Sequence, residues 1–301
     1  MEDQMQYRKL YEEGRQALEE IGLPDAALDA RLLLEEVCGT NLQTLLVYPD
    51  KAVAAEKVQQ YREYIERRVN REPTAMILGK WDFMGLTFWL NRSTLIPEQD
   101  TERLVEVALD WAGRNKSNQS NQLVQSGQSG TLRILDLCTG SGCILLSLLH
   151  ELPSATGLGT DISAEALEAA ERNREALGLT ERSMFERGDL WDPVGEEQFD
   201  LIVSNPPYVP TGVIPTLEPE VRTGEPYAAL DGGEDGLTFY RRIVEEAGRH
   251  LNPAGTIMVE SGFDEAEAIA DLMREAGFTE IMIYQDYGGL DRVVQGSRSE
   301  E

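Results

Sequence analysis

The sequence predicts an α/β fold: a mostly parallel sheet with helices on both faces, preceded by a small N-terminal helical-bundle domain and joined to it by a β-hairpin. Three observations predict it. Strand-like and helix-like segments alternate from about residue 132 to 276, the pattern that builds a parallel sheet through helical crossovers. Up to about residue 75 the apolar residues recur only at helical spacing. Between the two regions, residues 80–96 (KWDFMGLTFWLNRSTLI) are aromatic and β-branched, with Met84-Gly85 placed as a turn.

Each element follows from local signals. Tyr7, Leu10, Tyr11, Gly14, Leu18 and Ile21 mark a first helix, which Gly22 and Pro24 end. Leu28, Leu32, Leu33 and Val37 mark a second, and Asn41 caps a short third carrying Leu45 and Leu46. A longer helix spans about Val53 to Val69 with Val58, Tyr61 and Ile65 on one face. After the hairpin a helix is predicted from Asp100 to Ala112. Residues 114–130 (RNKSNQSNQLVQSGQSG) are nearly all Asn, Gln, Ser and Gly, and predict a flexible loop. Strands are expected at 132–138, 155–161, 182–187, 199–204 and 256–261, and helices near 143–151, 163–177, 236–251 and 264–276. The closing IMIYQDYGGLDRVVQG predicts two strands around a Gly-containing turn, an antiparallel edge. The expected division is 1–75 helical domain, 76–98 hairpin linker, and 99–301 α/β domain containing the 114–130 loop.

Composition narrows the function. Hydrophobic residues make up 41% of the 301 and charged residues 27%, as in ordinary globular proteins. No stretch approaches the roughly 20 apolar residues that span a bilayer. The polar, acidic start MEDQMQYRKLYEEG does not resemble a targeting peptide. Three cysteines in apolar contexts fit a reducing, cytoplasmic setting rather than a disulfide framework. With 27 basic and 54 acidic residues the formal charge is -27. That surface is unsuited to a nucleic-acid backbone. It fits either simple solubility or a basic protein partner. Two histidines and no Cys/His ligand spacing give no expectation of a metal site.

Three places carry chemistry. In Asp136-Leu137-Cys138-Thr139-Gly140-Ser141-Gly142-Cys143 a strand runs into a glycine-rich turn that opens a helix. Such a turn lets a ligand approach the backbone and meet free N–H groups. Position 145 is Leu, so the dinucleotide pattern is incomplete. No Lys-Ser/Thr follows, so a triphosphate loop is excluded. The turn typical of S-adenosylmethionine binders remains. Asp161, about 20 residues on at the end of the next strand, can accept from both ribose hydroxyls. It also fits a helix cap, and the glycine turn upstream favours the ligand reading. Gly188-Asp189-Leu190 sits where an adenine ring would lie, Asp189 accepting from its amine and Leu190 packing on it, although Asp189 equally fits a plain turn. The third place is decisive. Asn205-Pro206-Pro207-Tyr208 follows FDLIVS at the carboxyl end of the fourth strand, where open α/β sheets bind ligands. The two prolines fix the backbone and remove donors. The Asn205 and Pro206 carbonyls then point out as rigid acceptors for a planar NH2 group, with Tyr208 as a stacking face.

Asn205 to Tyr208 resembles the catalytic motif of methyltransferases acting on planar nitrogens, in adenine or glutamine. The downstream LEPEVRTGEPYAALDGGEDGLTFYRRI (217–243) and closing GGLDRVVQG are similar to the bacterial release-factor glutamine methyltransferases. The likeness covers nearly the whole chain. It implies a Rossmann-like class I S-adenosylmethionine-dependent methyltransferase domain. Asp136, Cys138, Thr139, Gly140, Ser141, Gly142, Asp161, Asp189, Leu190 and Asn205 would hold the cofactor, leaving S-adenosylhomocysteine as product. Asn205, Pro206, Pro207 and Tyr208 would bind the target glutamine of a Gly-Gly-Gln motif, with Asn205, Pro206 and Tyr208 catalytic. The helical domain would dock the release factor. Two departures stand out. The family's Pro-Arg-Pro-Glu-Thr-Glu is here Pro97-Glu98-Gln99-Asp100-Thr101-Glu102, which makes that wall more acidic, and Ser261 replaces a common Ile. The competing readings are an adenine-specific nucleic-acid methyltransferase, disfavoured by the charge, and a non-catalytic cofactor-binding scaffold.

Overall fold

The computed structural model describes residues 4–126 and 131–299. It divides into two compact units, Met1–Lys80 with Glu218–Gly224, and Trp81–Leu217 with Glu225–Glu301.

The first unit contains α1 (Tyr7–Glu20), α2 (Ala26–Cys38), α3 (Leu42–Val47), α4 (Ala55–Val69) and α5 (Thr74–Leu78). Most of the apolar positions picked out by their spacing form its core, Leu10, Leu18, Leu33, Val37, Val58, Tyr61 and Ile65 being buried together, whereas Leu28 and Leu46 are exposed. Gly14 lets α1 and α4 approach closely, because a Cβ there would lie 2.0 Å from the Tyr61 hydroxyl oxygen. That hydroxyl donates to the Ala30 carbonyl at 3.1 Å. Asn41 caps α3, its Oδ1 accepting from the Thr44 N–H at 2.9 Å. A buried ion pair joins Arg68 of α4 to Asp29 of α2 at 2.7 Å, and Arg68 also meets Glu220 at 3.2 Å.

Leading into the second unit, β1 (Lys80–Phe83) and β2 (Leu86–Trp89) form the expected hairpin. Met84 (φ 51°) and Gly85 (φ 73°) are both left-handed, as a two-residue turn matched to strand twist requires. Phe83 and Phe88 meet edge to face at 6.1 Å and enter the core of this unit. The helix that follows, α6 (Gln99–Ser126), runs into the stretch where the sequence predicts a loop. The reason is local: no Gly or Pro occurs between 114 and 126, and a helix nucleated upstream propagates at little cost per residue. The rest of that predicted loop, 127–130, lies outside the described residues.

The remaining elements are β3 (Arg133–Leu137), α7 (Cys143–Glu151), β4 (Thr156–Asp161), α8 (Ala164–Ala176), β5 (Ser183–Arg187), β6 (Phe199–Ser204), α9 (Pro219–Gly224, in the first unit), α10 (Tyr227–Leu230), α11 (Thr238–His250), β7 (Leu251–Glu260), α12 (Ala266–Glu275), β8 (Thr279–Gln285) and β9 (Asp291–Ser297). The strands form one sheet in the order β5-β4-β3-β6-β7-β9-β8. The first five are parallel, and β9 and β8 close the edge antiparallel. Successive side chains of a strand face opposite ways, so Ile134 packs with α6 and α7 while Leu135 packs with α11 and α12. Both faces are covered, which explains the near-continuous apolar runs in β3 and β6. The chain leaves β3 toward β4 on one side and returns through β6 on the other. The carboxyl ends of β3 and β6 therefore flank the switch point where such sheets bind ligands.

Candidate active site

Leu137 pairs with Ser204 across β3 and β6, so Cys138 and Asn205, next along each strand, stand at the mouth of the same crevice. After β3 the backbone turns sharply. Cys138 (φ 59°), Gly140 (φ 56°) and Gly142 (φ 77°) are all left-handed. For Cys138 that conformation costs energy, a cost of the sort concentrated at functional sites. The turn is braced from within: the Thr139 hydroxyl donates to Asp136 Oδ2 at 2.6 Å, and the Asn173 amide donates to the Ser141 carbonyl at 2.9 Å. Asn173 also exchanges hydrogen bonds with both backbone groups of Trp89, tying the hairpin to the turn. Asp136, expected at the cofactor, lies fully buried beneath the turn. Burial pushes its carboxyl up to about 7 against the pull of the Thr139 hydroxyl. A Cβ on Gly140, by contrast, would meet nothing within 4 Å: the space beside the turn is open.

Asp161 serves the turn and the next helix together. Its Oδ2 accepts from the Gly140 N–H and its Oδ1 from the Ser163 N–H, both at 2.9 Å. Two of the four or so lone-pair positions on a carboxylate are thereby used. The helix cap proper is Ser163, whose Oγ accepts from the Ala166 N–H at 3.1 Å. Asp189 pairs with Arg242 at 2.8 Å, a partner that spacing along the chain does not reveal. Leu190 is buried in the same apolar cluster as Leu135, with Val194 and Phe199, and its backbone is left-handed at φ 51°.

Beyond β6, Pro206 and Pro207 are buried while Asn205 and Tyr208 are half-buried. The Asn205 Nδ2 donates to Thr101 Oγ1 at 3.2 Å. The segment is strapped by residues 230–232: the Val209 N–H donates to the Leu230 carbonyl at 2.9 Å and the Gly232 N–H to the Val209 carbonyl at 2.8 Å. Burial raises the Tyr208 phenol above its ordinary value, with nearby Glu260 and Glu98 adding to it, so the ring stays neutral.

The sequence reading missed Thr101, Glu260 and Arg292. Arg292 of β9 is buried and pairs with Asp100 at 3.0 Å and Asp286 at 3.2 Å. Glu260 ends β7 and is pushed up to about 8 by burial, against the Thr101 hydroxyl and the positive charge of Arg292. Glu225 is likewise raised to about 8 by burial and by Glu98. Arg292 is the cation set against this acidic wall. An acidic residue ending the strand beside β6 is the signal that would have found Glu260, since that edge of the sheet is where ligands bind.

Over residues 9–79 the chain matches the PrmC N-terminal domain family, and over 118–215 the methyltransferase small domain family. A Caulobacter vibrioides release factor glutamine methyltransferase is 39% identical over 97% of this chain and 96% of its own length. One from Geobacter sulfurreducens is 42% identical over 96% and 95%. The chain belongs to the release factor glutamine methyltransferase family. Among solved structures, the catalytic domain of hMettl16 bound to an RNA hairpin of the MAT2A 3'UTR has a TM-score of 0.53 at 14% identity, covering 82% of each chain. At that identity the likeness speaks for the shared fold alone. Glu98 and Gln99 directly precede Asp100, which pairs with Arg292 at 3.0 Å. Among the described residues no helix is long and apolar enough to cross a membrane.

Proposed function

We propose that the chain transfers a methyl group from S-adenosylmethionine to the side-chain amide nitrogen of the glutamine in the Gly-Gly-Gln motif of peptide chain release factors. The observation that carries this reading is Asn205, half-buried at the carboxyl end of β6, with its NH2 turned inward to Thr101. That leaves Oδ1 to accept from a substrate, with the Pro206 carbonyl as the second acceptor of this reading.

The surrounding residues fit the cofactor. Gly140 borders open space, and Asp161 keeps acceptor capacity after its two backbone bonds. Cys138 to Gly142 and Asp161 would hold it, with Asp189 and Leu190 near its base. When bound, S-adenosylmethionine supplies an electrophilic sulfonium methyl group. Asn205 Oδ1 and the Pro206 carbonyl accept the two hydrogens of the target amide, whose nitrogen is a poor nucleophile because its lone pair is shared with the carbonyl. These acceptors fix the amide plane and stabilise positive charge as it develops on nitrogen. Tyr208, neutral and half-buried, supplies a face for the flat group. The nitrogen gains the methyl as the methyl–sulfur bond breaks, leaving the thioether product. Its proton, acidic only then, passes to water, so no strong base is needed beforehand. Positioning and preorganised polarity do most of the work. The helical N-terminal unit docks the release factor.

Incubation with methyl-labelled cofactor and, separately, a bacterial release factor or duplex DNA tests the substrate class. Label in the release factor alone is expected. Label in the DNA and none in the protein would replace this reading with adenine methylation.

A further inference from the structure

We propose that Glu260, acting through Thr101, fixes which end of the Asn205 side-chain amide faces the substrate, and so is a positioning residue for methyl transfer. The proposal rests on the acceptor role given to Asn205 above. An asparagine amide is nearly symmetric in shape but carries two donors on one end and an acceptor on the other. A site built to receive an NH2 group works only with the oxygen outward.

Three groups set that choice. Asn205 Nδ2 donates to Thr101 Oγ1 at 3.2 Å. A hydroxyl has a single proton; that of Thr101 is not used toward Asn205, and the hydroxyl holds the pKa of the neighbouring Glu260 carboxyl down, as a proton directed to that carboxyl would. With its proton directed to Glu260, Thr101 can only accept from Asn205, so the NH2 must point inward. The sheet register holds the pieces together: Ser204 pairs with Val259, so Asn205 and Glu260 are the next residues along β6 and β7. Thr101 and Glu260 are 3% and 1% exposed. Glu260 Oε2 has no hydrogen-bond partner. A buried, half-satisfied carboxyl is costly for folding, and orienting Asn205 gives that cost a purpose.

The device has a second setting. A protonated Glu260 no longer needs the Thr101 proton, which becomes free for Asn205 Oδ1. The amide then turns its NH2 toward the substrate NH2, and donors face donors. The charged or titratable groups facing Glu260 are Arg292 from β9, Glu98 and Asp100 from the segment entering α6, Tyr208 after β6, Tyr240 from α11 and Cys143 from α7. The Tyr240 hydroxyl donates to the Glu260 backbone carbonyl at 2.7 Å and leaves the carboxyl free. Burial, the leading influence, puts the Glu260 transition at about 8, so kcat should rise with pH through that value.

The test compares Thr101→Val, Thr101→Ser, Glu260→Gln and Asn205→Ala in steady-state methylation of a release factor, with cofactor affinity measured separately by calorimetry. Thr101→Val should lose about 10- to 100-fold in kcat, with smaller change in KM and unaltered cofactor affinity. Thr101→Ser, which restores the hydroxyl, should recover most of the loss. Glu260→Gln should be slow and should lose the rise of kcat near pH 8. The proposal is overturned if Asn205→Ala is impaired while Thr101→Val stays within about twofold of the parent protein. It is also overturned if Thr101→Ser is as slow as Thr101→Val, or if Glu260→Gln keeps the parent pH profile. Should Thr101→Val not fold, the Glu260→Gln profile decides alone. Full activity of Asn205→Ala would instead remove the acceptor role of Asn205 itself.

Discussion

Gly232 offers a way to move the catalytic segment without touching any group that does chemistry. A Cβ at this position would lie 2.7 Å from both Cα and carbonyl carbon of Tyr208 and 2.8 Å from the Gly236 carbonyl oxygen. Both neighbours are backbone and cannot swing aside as a side chain would. Ordinary contact begins near 3.4 Å, so Gly232→Ala must displace the Tyr208 backbone by about 0.7 Å, and a misplacement approaching 1 Å can cost about 100-fold in rate. Folding should suffer less, by about 1–3 kcal/mol for an overpacked site. The glycine turn and Asp161 are separate from the strap, so cofactor affinity should hold. Steady-state kinetics on a release factor, calorimetry with the cofactor and a denaturation curve together read all three quantities. Gly248→Ala is the control: within α11 a Cβ there meets nothing within 4 Å, and alanine should favour the helix by about 0.8–1 kcal/mol. If Gly232→Ala keeps kcat within about twofold of the parent, the close approach of the strap to Tyr208 does not set the geometry of the site.

Further predictions follow from other parts of the molecule. Asn205→Ala should lose about 2–4 kcal/mol of transition-state stabilisation, read as a drop in kcat with cofactor affinity preserved; normal turnover would refute its role. Arg68→Ala leaves Asp29 buried without its partner and should destabilise the protein by about 3–5 kcal/mol in urea titration. A loss under 1 kcal/mol would mean, as for exposed pairs, that solvent reaches this ion pair. Asp136, Glu225, Glu260 and Glu265 are raised by burial to about 7, 8, 8 and 7, from ordinary values of 3.8 for the aspartate and 4.5 for the glutamates. Between those limits the folded chain holds protons that the unfolded chain has released, so stability falls as pH rises from 4.5 toward 8. The melting temperature should decline across that window, and Asp136→Asn should flatten the decline; a rising melting temperature would contradict the assignment.

Much of the architecture was legible because its signals are local. FDLIVS, flanked by polar residues and ending in Asn-Pro-Pro, could only be a buried strand, and β6 has those bounds. Met84-Gly85 encodes its turn in two residues. Misreadings arose where a local signal was overridden. β7 begins at Leu251 rather than 256 because the chain passes directly from α11 into pairing with Phe199, across a register shift. The polar stretch after 114 lacks a helix breaker until Gly127, so composition suggested a loop where the helix continues to Ser126. In the site, the glycine turn and Asn205 to Tyr208 announce themselves by order along the chain. Thr101, Glu260 and Arg292 do not, because what brings them to the site is partners far off in sequence: Thr101 meets Asn205, and Arg292 meets Asp100. Asp161 shows why two readings could coexist: one carboxylate can brace the helix start and the glycine turn and still have lone pairs to spare.

Mass spectrometry of a bacterial release factor after incubation with this protein and S-adenosylmethionine tests the central claim most directly. The same factor with its Gly-Gly-Gln glutamine changed to alanine serves as control. One added methyl, mapped to the side chain of that glutamine and absent from the control, is the predicted result. An unmodified release factor, from a protein shown in parallel to bind the cofactor, would contradict the account and leave the fold without this substrate.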